Sequence, residues 1–422
     1  MTSLSGCLGG GTPFPSGRSA YAPSENGFAE QPPGVTAQSS AIIGDLASRR
    51  SVLPAGGAYD QVAKAVLGYQ KSAAQSELVV KKLTAQAKSK NWLPTLKPGV
   101  SLTSLGDLAT SIVLDQVLFD NGAKRAEREY AAADVELAAV NLSSDYNDKV
   151  YSALAHYIKA RQAEAEGAAA TQASNKLSEY DNIMRQRVEG GLSDMSEQRV
   201  LTQKLIDMQA TEAALRDTAR SEIAQLESMT GGAAVPARGI DALNIPDPLP
   251  DALSVKEAEG NRGLTVAEAK ISRAGLLPGL SASASVGSGK PDAGVNLGTS
   301  SGFGFGTGDQ LKALDAARQS AQQQVEQARQ EAYQDVVTLK SKLTAAEAKQ
   351  GRDANVVAEM EKSLALYTEQ YRLGGRSLME LVNQFENYAE MRQDLAGQKY
   401  DIALIRLEIA RRYGLLVDGS VI

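Results

Sequence analysis

The sequence predicts a mainly α-helical chain with a small β part, assembled from two copies of one structural repeat. Three observations predict it. Two proline-free stretches of helix formers are each long enough for roughly 100 Å of helix at ~1.5 Å per residue. Short segments with polar/apolar alternation precede each of them. The order Leu-Pro, alternating segments, Phe-x-x-Gly, long helix, Gly-Gly, helix occurs twice at a nearly constant offset.

Composition narrows the function classes. Of 422 residues, 43% are apolar, 22% charged and only 5% aromatic, so thin layers of Ala-rich helices are expected rather than one thick core. The net charge of −6 offers no basic footprint, and nucleic acid is not expected as a partner. One cysteine and one histidine exclude an intrachain disulfide and a Cys/His zinc centre. They also remove the common nucleophile–base pairs, so no catalytic residue, metal ligand or cofactor is assigned and the chain reads as no enzyme. No apolar run reaches 18 residues, so any membrane crossing must use strands.

Residues 1–58 are rich in Gly, Pro, Ser and Ala without a sustained period, and read as an extended tether. Within them Leu4-Ser5-Gly6-Cys7 has the form of a bacterial lipobox, where small residues admit cleavage before an acylated cysteine. Only Met1 to Gly6 precede it, so a longer precursor is expected; the alternative is an incidental cysteine in a loose terminus.

The first repeat covers 59–230. Helical spacing begins at Tyr59 and runs through Val62, Val66, Leu67 and Leu78 to about Lys90. It stops at Trp92-Leu93-Pro94, because proline disfavours helical backbone for the residue before it. Two strands are expected within about 97–121: Val100, Leu102 and Ser104 alternate with Ser101 and Thr103, and Ser111 to Phe119 is rich in β-branched residues. Each is about the 9–11 residues a tilted strand needs to cross a bilayer. A helix over about 122–190 follows, with Leu137, Val140, Tyr146, Val150, Leu154 and Tyr157 at mostly coiled-coil spacing. Gly190-Gly191 interrupts it, and a return helix spans about 195–229.

A Pro-rich linker over 231–251 leads to the second repeat, 252–416. Leu277-Pro278 echoes Leu93-Pro94. Strands are expected within about 279–307, where Leu280, Ala282, Ala284 and Val286, then Val295, Leu297, Thr299, Ser301, Phe303 and Phe305, alternate with Ser, Asn and Gly. A long helix over about 309–373, Gly374-Gly375 and a return helix over about 378–413 complete it.

Four strands cannot close a barrel, and open sheet edges are not tolerated in lipid. Three subunits would supply a 12-stranded barrel, continued by an α-helical coiled-coil barrel of the long helices. The other reading, a peripheral coiled-coil scaffold without a pore, has no use for amphipathic hairpins. Trp92 fits a membrane-interface belt, whereas His156, mid-helix, reads as a packing or surface residue.

From about Tyr59 to Leu416 this pattern resembles the outer-membrane efflux (TolC-type) family. Val113 to Gly122 is similar to the family's strand-to-helix signature. Arg187-Val188-Glu189-Gly190-Gly191-Leu192 and Tyr371-Arg372-Leu373-Gly374-Gly375-Arg376-Ser377 resemble its two periplasmic turns. The resemblance implies a homotrimer in the outer membrane of a Gram-negative bacterium, surrounded by outer-membrane lipid and reaching into the periplasm, with a lipid anchor at Cys7. It implies a passive conduit for small-molecule efflux or type I-like secretion, served by a periplasmic adaptor (membrane-fusion) protein and an inner-membrane pump. Gly191, Leu192, Gly374 and Gly375 would dock the adaptor. Tyr371 and Arg376 would face Ser196 and Glu197 across a periplasmic gate. Glu380 would ring the tunnel mouth, with Asn383 where some members carry a second acid. One departure is a shortened helix upstream of Leu277.

Overall fold

A computed structural model describes residues 40–102, 108–233, 239–287, 291–299, 302 and 304–421. Cys7 therefore lies outside the described residues, as do Thr103, Ser104, Ser301 and Phe303.

The described residues begin with helices α1 (Ala41–Ser48), α2 (Ala58–Tyr69) and α3 (Ala73–Ser89). Here the tether reading is corrected, because residues 40–57 are folded. Ile42 and Leu46 are buried. The buried Arg49 donates from Nη1 to the Tyr413 carbonyl oxygen at 2.8 Å, and from Nη2 to the Asp251 carbonyl oxygen at 2.9 Å and the Asp45 carboxylate at 2.6 Å. The single helix expected from Tyr59 to Lys90 is likewise broken at residues 70–72. Ser72 caps α3 by accepting from the Gln75 N–H, and donates its own hydroxyl to Asp145 at 2.6 Å.

Strands β1 (Thr95–Leu102), β2 (Leu108–Phe119), β3 (Gly279–Gly287) and β4 (Asp292–Gly298) form one antiparallel sheet in that order. The β2–β3 pairing joins the two repeats, with Asp115 opposite Ser283 and an irregularity between Val117 and Phe119. The last strand is shorter than its alternation predicts. It stops at Gly298, and Gly304-Phe305-Gly306 is a turn in which the Thr307 hydroxyl donates to the Gly304 carbonyl oxygen at 2.8 Å.

Helices α4 (Ala123–Glu189), α5 (Met195–Thr230), α6 (Leu253–Gly275), α7 (Thr307–Arg372) and α8 (Leu378–Arg412) supply the length. The chain turns from β2 into α4 through left-handed residues, Asn121 at φ 52° and Gly122 at φ 88°. The Asp120 carboxylate accepts from the N–H groups of Gly122 and Lys124. With 23 residues, α6 is shorter than α2 and α3 together, which have 12 and 17. Its Gly260 and Gly263 let it approach Leu137 and Ala133 of α4 closely.

Two apolar clusters lie along α4. One joins Tyr59, Leu142, Leu154, Tyr157 and Leu407 where both chain ends meet the helices; the other joins Leu177, Tyr180, Met184, Leu201 and Phe385 near the distal turns. Tyr180 and Phe385 pack edge to face at 5.7 Å. The second repeat's packing runs past 416, since Val417 is buried and Gly419–Val421 forms a 3-10 turn. Helix α7 buries only Thr307, Ala321 and Val325 along 66 residues, so most of its surface has no partner among the described residues.

Candidate functional site

The sheet is sorted by side-chain chemistry. Register places Leu96, Pro98, Val100, Ile112, Leu114, Leu280, Ala282, Ala284, Val286, Ala293, Val295 and Leu297 on one face. Its large members Leu96, Val100, Ile112, Leu114, Val286, Val295 and Leu297 are 42–70% exposed, so none of the described residues covers that face. The opposite face carries Thr95, Lys97, Ser111, Asp115, Ser281, Ser283, Ser285, Asp292 and Asn296. There Lys97 Nζ lies 2.8 Å from the Asp115 carboxylate. An apolar face and a polar face on one open sheet fit lipid on one side and water on the other. Both edge strands, β1 and β4, are unpaired on their outer sides. At the helix end of the sheet, Trp92, Phe119 and Phe305 are exposed aromatics, of the kind that favour a membrane–water boundary.

Both distal turns are helix C-caps built on left-handed glycine. In the first, Gly191 has φ 72°, and the N–H groups of Gly191 and Leu192 return to the carbonyl oxygens of Val188 and Arg187. In the second, Gly374 has φ 78°, and the N–H groups of Gly374 and Gly375 return to Tyr371 and Gln370. The two glycine pairs thus differ in register by one residue. Each turn leaves a leucine proud of the surface, Leu192 at 70% and Leu373 at 83% exposure.

Past each turn, an acid and a hydroxyl start the return helix. The Asp194 carboxylate accepts from Ser196 Oγ and from the N–H groups of Ser196 and Glu197. These bonds, the Ser196 hydroxyl first, hold its pKa below the usual carboxylate range. Ser377 and Glu380 form a capping box at the start of α8. The Ser377 N–H, then Arg376, hold the Glu380 carboxyl low.

The expected gate residues have these positions. Arg376 donates from Nε to Gln370 at 3.0 Å and from Nη1 to Glu380 at 2.9 Å, with its guanidinium 4.6 Å from the centroid of the Tyr367 ring. Tyr371 is half-buried against the distal apolar cluster. Ser196 is exposed and Glu197 half-buried. Within one chain no hydrogen bond joins Tyr371 or Arg376 to Ser196 or Glu197; Arg376 Nε and Nη1 and the Ser196 hydroxyl bond local partners instead. Asn383 is exposed one turn beyond Glu380 on α8.

Sequence reasoning missed one of the links that join the two helix pairs. Lys204 of α5 is ion-paired with Glu386 of α8, both half-buried. Neither lies in a motif, and only the register of packed helices brings them together. His156 bonds Glu222 of α5 at 2.6 Å through Nδ1. Among the described residues no group of three or more His, Cys, Asp or Glu could hold a metal ion, and no helix is long and apolar enough to cross a membrane.

No family model matches the sequence, and no curated protein matches it. Solved structures do. The outer-membrane channel OprN superposes with a TM-score of 0.73 at 15% identity, over 87% of this chain and 93% of that one. The CmeC outer membrane channel of Campylobacter jejuni gives 0.70 at 12% identity, over 86% and 87%. The outer membrane protein VceC of Vibrio cholerae gives 0.71 at 14% identity, over 85% and 96%.

Proposed function

We propose that this chain is one subunit of a homotrimeric outer-membrane efflux channel, a passive conduit between the periplasm and the outside of a Gram-negative cell. The observation that carries the reading is the two-faced sheet with both edges open. An isolated four-stranded sheet would leave unpaired backbone groups in hydrocarbon. Three copies joined β1 to β4 would form a closed barrel of twelve strands. The unpartnered length of α7 supports the same arrangement, since each copy has a bare long helix to offer the next. The fold shared with OprN, CmeC and VceC adds the outer-membrane setting. A coiled-coil scaffold would have no reason to expose this apolar sheet face to solvent.

In this reading the exposed Leu192 and Leu373 turns meet a periplasmic adaptor that belongs to an inner-membrane pump. Tyr371, Arg376, Ser196 and Glu197 form the gate between subunits, Glu380 and Asn383 line the mouth, and Cys7 carries a lipid. The test is the native mass in mild detergent together with fractionation. Three chain masses, held in outer membranes after a high-salt wash, are expected. A monomer released by salt would overturn the reading.

A further inference from the structure

We propose that Lys97, Asp115 and Asp292 form a charge filter on the pore wall, in which Lys97 tempers a preference for cations. The inference rests on the conduit reading above and names what would set its selectivity. Register puts Thr95, Asp115, Ser283 and Gly294 in one row across the sheet, and Lys97, Val113, Ser285 and Asp292 in the adjoining row. All of these lie on the polar face. Ser283, Ser285 and Gly294 are too short to cover their charged neighbours, so the charges stand open to whatever passes. Lys97 and Asp115 pair at 2.8 Å while their side chains remain 68% and 33% exposed. Asp292, on the opposite edge strand, is exposed and has no ion-pair partner among the described residues. Closing the sheet with further copies sets the strand that bears Lys97 beside the strand that bears Asp292. Each chain then contributes Lys97, Asp115 and Asp292 to these adjoining rows.

A charged residue on an edge strand can also serve to prevent edge-to-edge aggregation. That role ends once the edge is paired, whereas a filter acts only then. Magnitudes support the filter. Twelve strands spaced about 4.8 Å apart and tilted about 40° enclose a barrel of roughly 12 Å radius. Side chains reaching inward bring these charges within about one screening length of the axis at 0.1 M salt, which is ~10 Å, but not at 1 M, where it is ~3 Å. An exposed ion pair adds little to folding, so its removal leaves the barrel intact.

The test uses the full chain in planar bilayers under a KCl gradient, with the reversal potential reporting the K+/Cl− permeability ratio. Wild type should prefer cations weakly. At 0.1 M, Lys97→Gln should raise the ratio roughly two- to fourfold, and Asp115→Asn with Asp292→Asn should bring it below wild type, as expected for charges within a screening length. Both differences should vanish at 1 M, and Lys97→Arg should match wild type. If Lys97→Gln fails to insert, Asp292→Asn alone decides, because its exposed side chain holds nothing together. Normal conductance with an unchanged ratio would overturn the filter and leave the conduit standing. A wild-type chain that forms no channels would overturn the conduit itself.

Discussion

The carboxylate of Asp241 accepts a hydrogen bond from the backbone N–H of Tyr59 at 2.8 Å, across 182 residues of sequence. The N-cap of helix α2 is Gly57, which has no side chain to cap it, so the linker supplies the cap from outside. The same linker is fastened two residues earlier by Tyr157 Oη donating to the Gly239 carbonyl oxygen at 2.7 Å. Asp241→Ala should therefore destabilise the fold by about 1 kcal/mol, the usual cost of a lost N-cap. Urea unfolding followed by far-ultraviolet circular dichroism would measure it, and Asp241→Asn should recover most of the loss.

The two faces of the sheet make opposite predictions for one substitution. Leu297→Arg puts a charge on the apolar face and should weaken membrane insertion by about 2–4 kcal/mol if it lies near the midplane. Ser283→Arg, on the polar face beside Asp115, should be tolerated. Folding yield into lipid vesicles would separate them, and equal yields would contradict the assignment of faces.

Within one chain Arg376 uses Nε and Nη1 and leaves Nη2 without a partner. A gate bond to Ser196 or Glu197 of an adjacent subunit remains open to that nitrogen. Bonds of this kind are worth about 0.5–1.5 kcal/mol, or 1.5–3 with a charged partner, and threefold symmetry repeats them. Tyr371→Phe with Arg376→Ser should raise single-channel conductance while changing the melting temperature of the trimer little.

Much of this organisation was legible in the sequence, and the misses share a cause. Proline at 94 and 278 and glycine at 122, 191 and 374 mark backbone conformations that only a few residues adopt, so they place the junctions. The break at residues 70–72 has neither residue; it depends on Ser72 meeting Asp145, which is 73 positions away. Helix α1 hides in a Gly/Pro-rich region because its stability comes from Arg49 reaching residues 251 and 413. The last strand was read as too long because Ser/Gly alternation has the period of a strand whether or not a neighbour pairs with it. At the site, the turns announced themselves through Gly-Gly, but Lys204–Glu386 is a product of packing alone.

Acid should loosen the upper helices through Glu408. Burial pushes its carboxyl up, but hydrogen bonds from Arg411 and Arg412 outweigh that and hold it below the usual range. Its stabilising contribution is thus complete above the unfolded-chain value of about 4.3, and is lost as pH falls through the lower folded value. Glu408→Gln should lower the melting temperature by roughly 1–3 °C at pH 7 and make progressively less difference below about pH 4.

Metabolic labelling with palmitate should mark the wild-type protein at Cys7 and not the Cys7→Ser variant. Three acyl chains give firm anchoring where one alone would hold only marginally. Equal labelling of both would show that the cysteine is incidental.

The beginning and end of the folded chain are stitched to each other. The Val52 N–H donates to the Leu415 carbonyl oxygen, the Gly419 N–H donates to that of Arg49, and Arg49 reaches Tyr413 across 364 residues. In a polypeptide made N-terminus first, Arg49 therefore has only Asp45 and then Asp251 as partners until Tyr413 arrives. A chain cut short before Tyr413 would keep helices α4–α8 and strands β1–β4 yet lose these three bonds to its opening segment. Residues 49–52 and 413–419 thus form one seam, and a cut on either side of it should loosen the other.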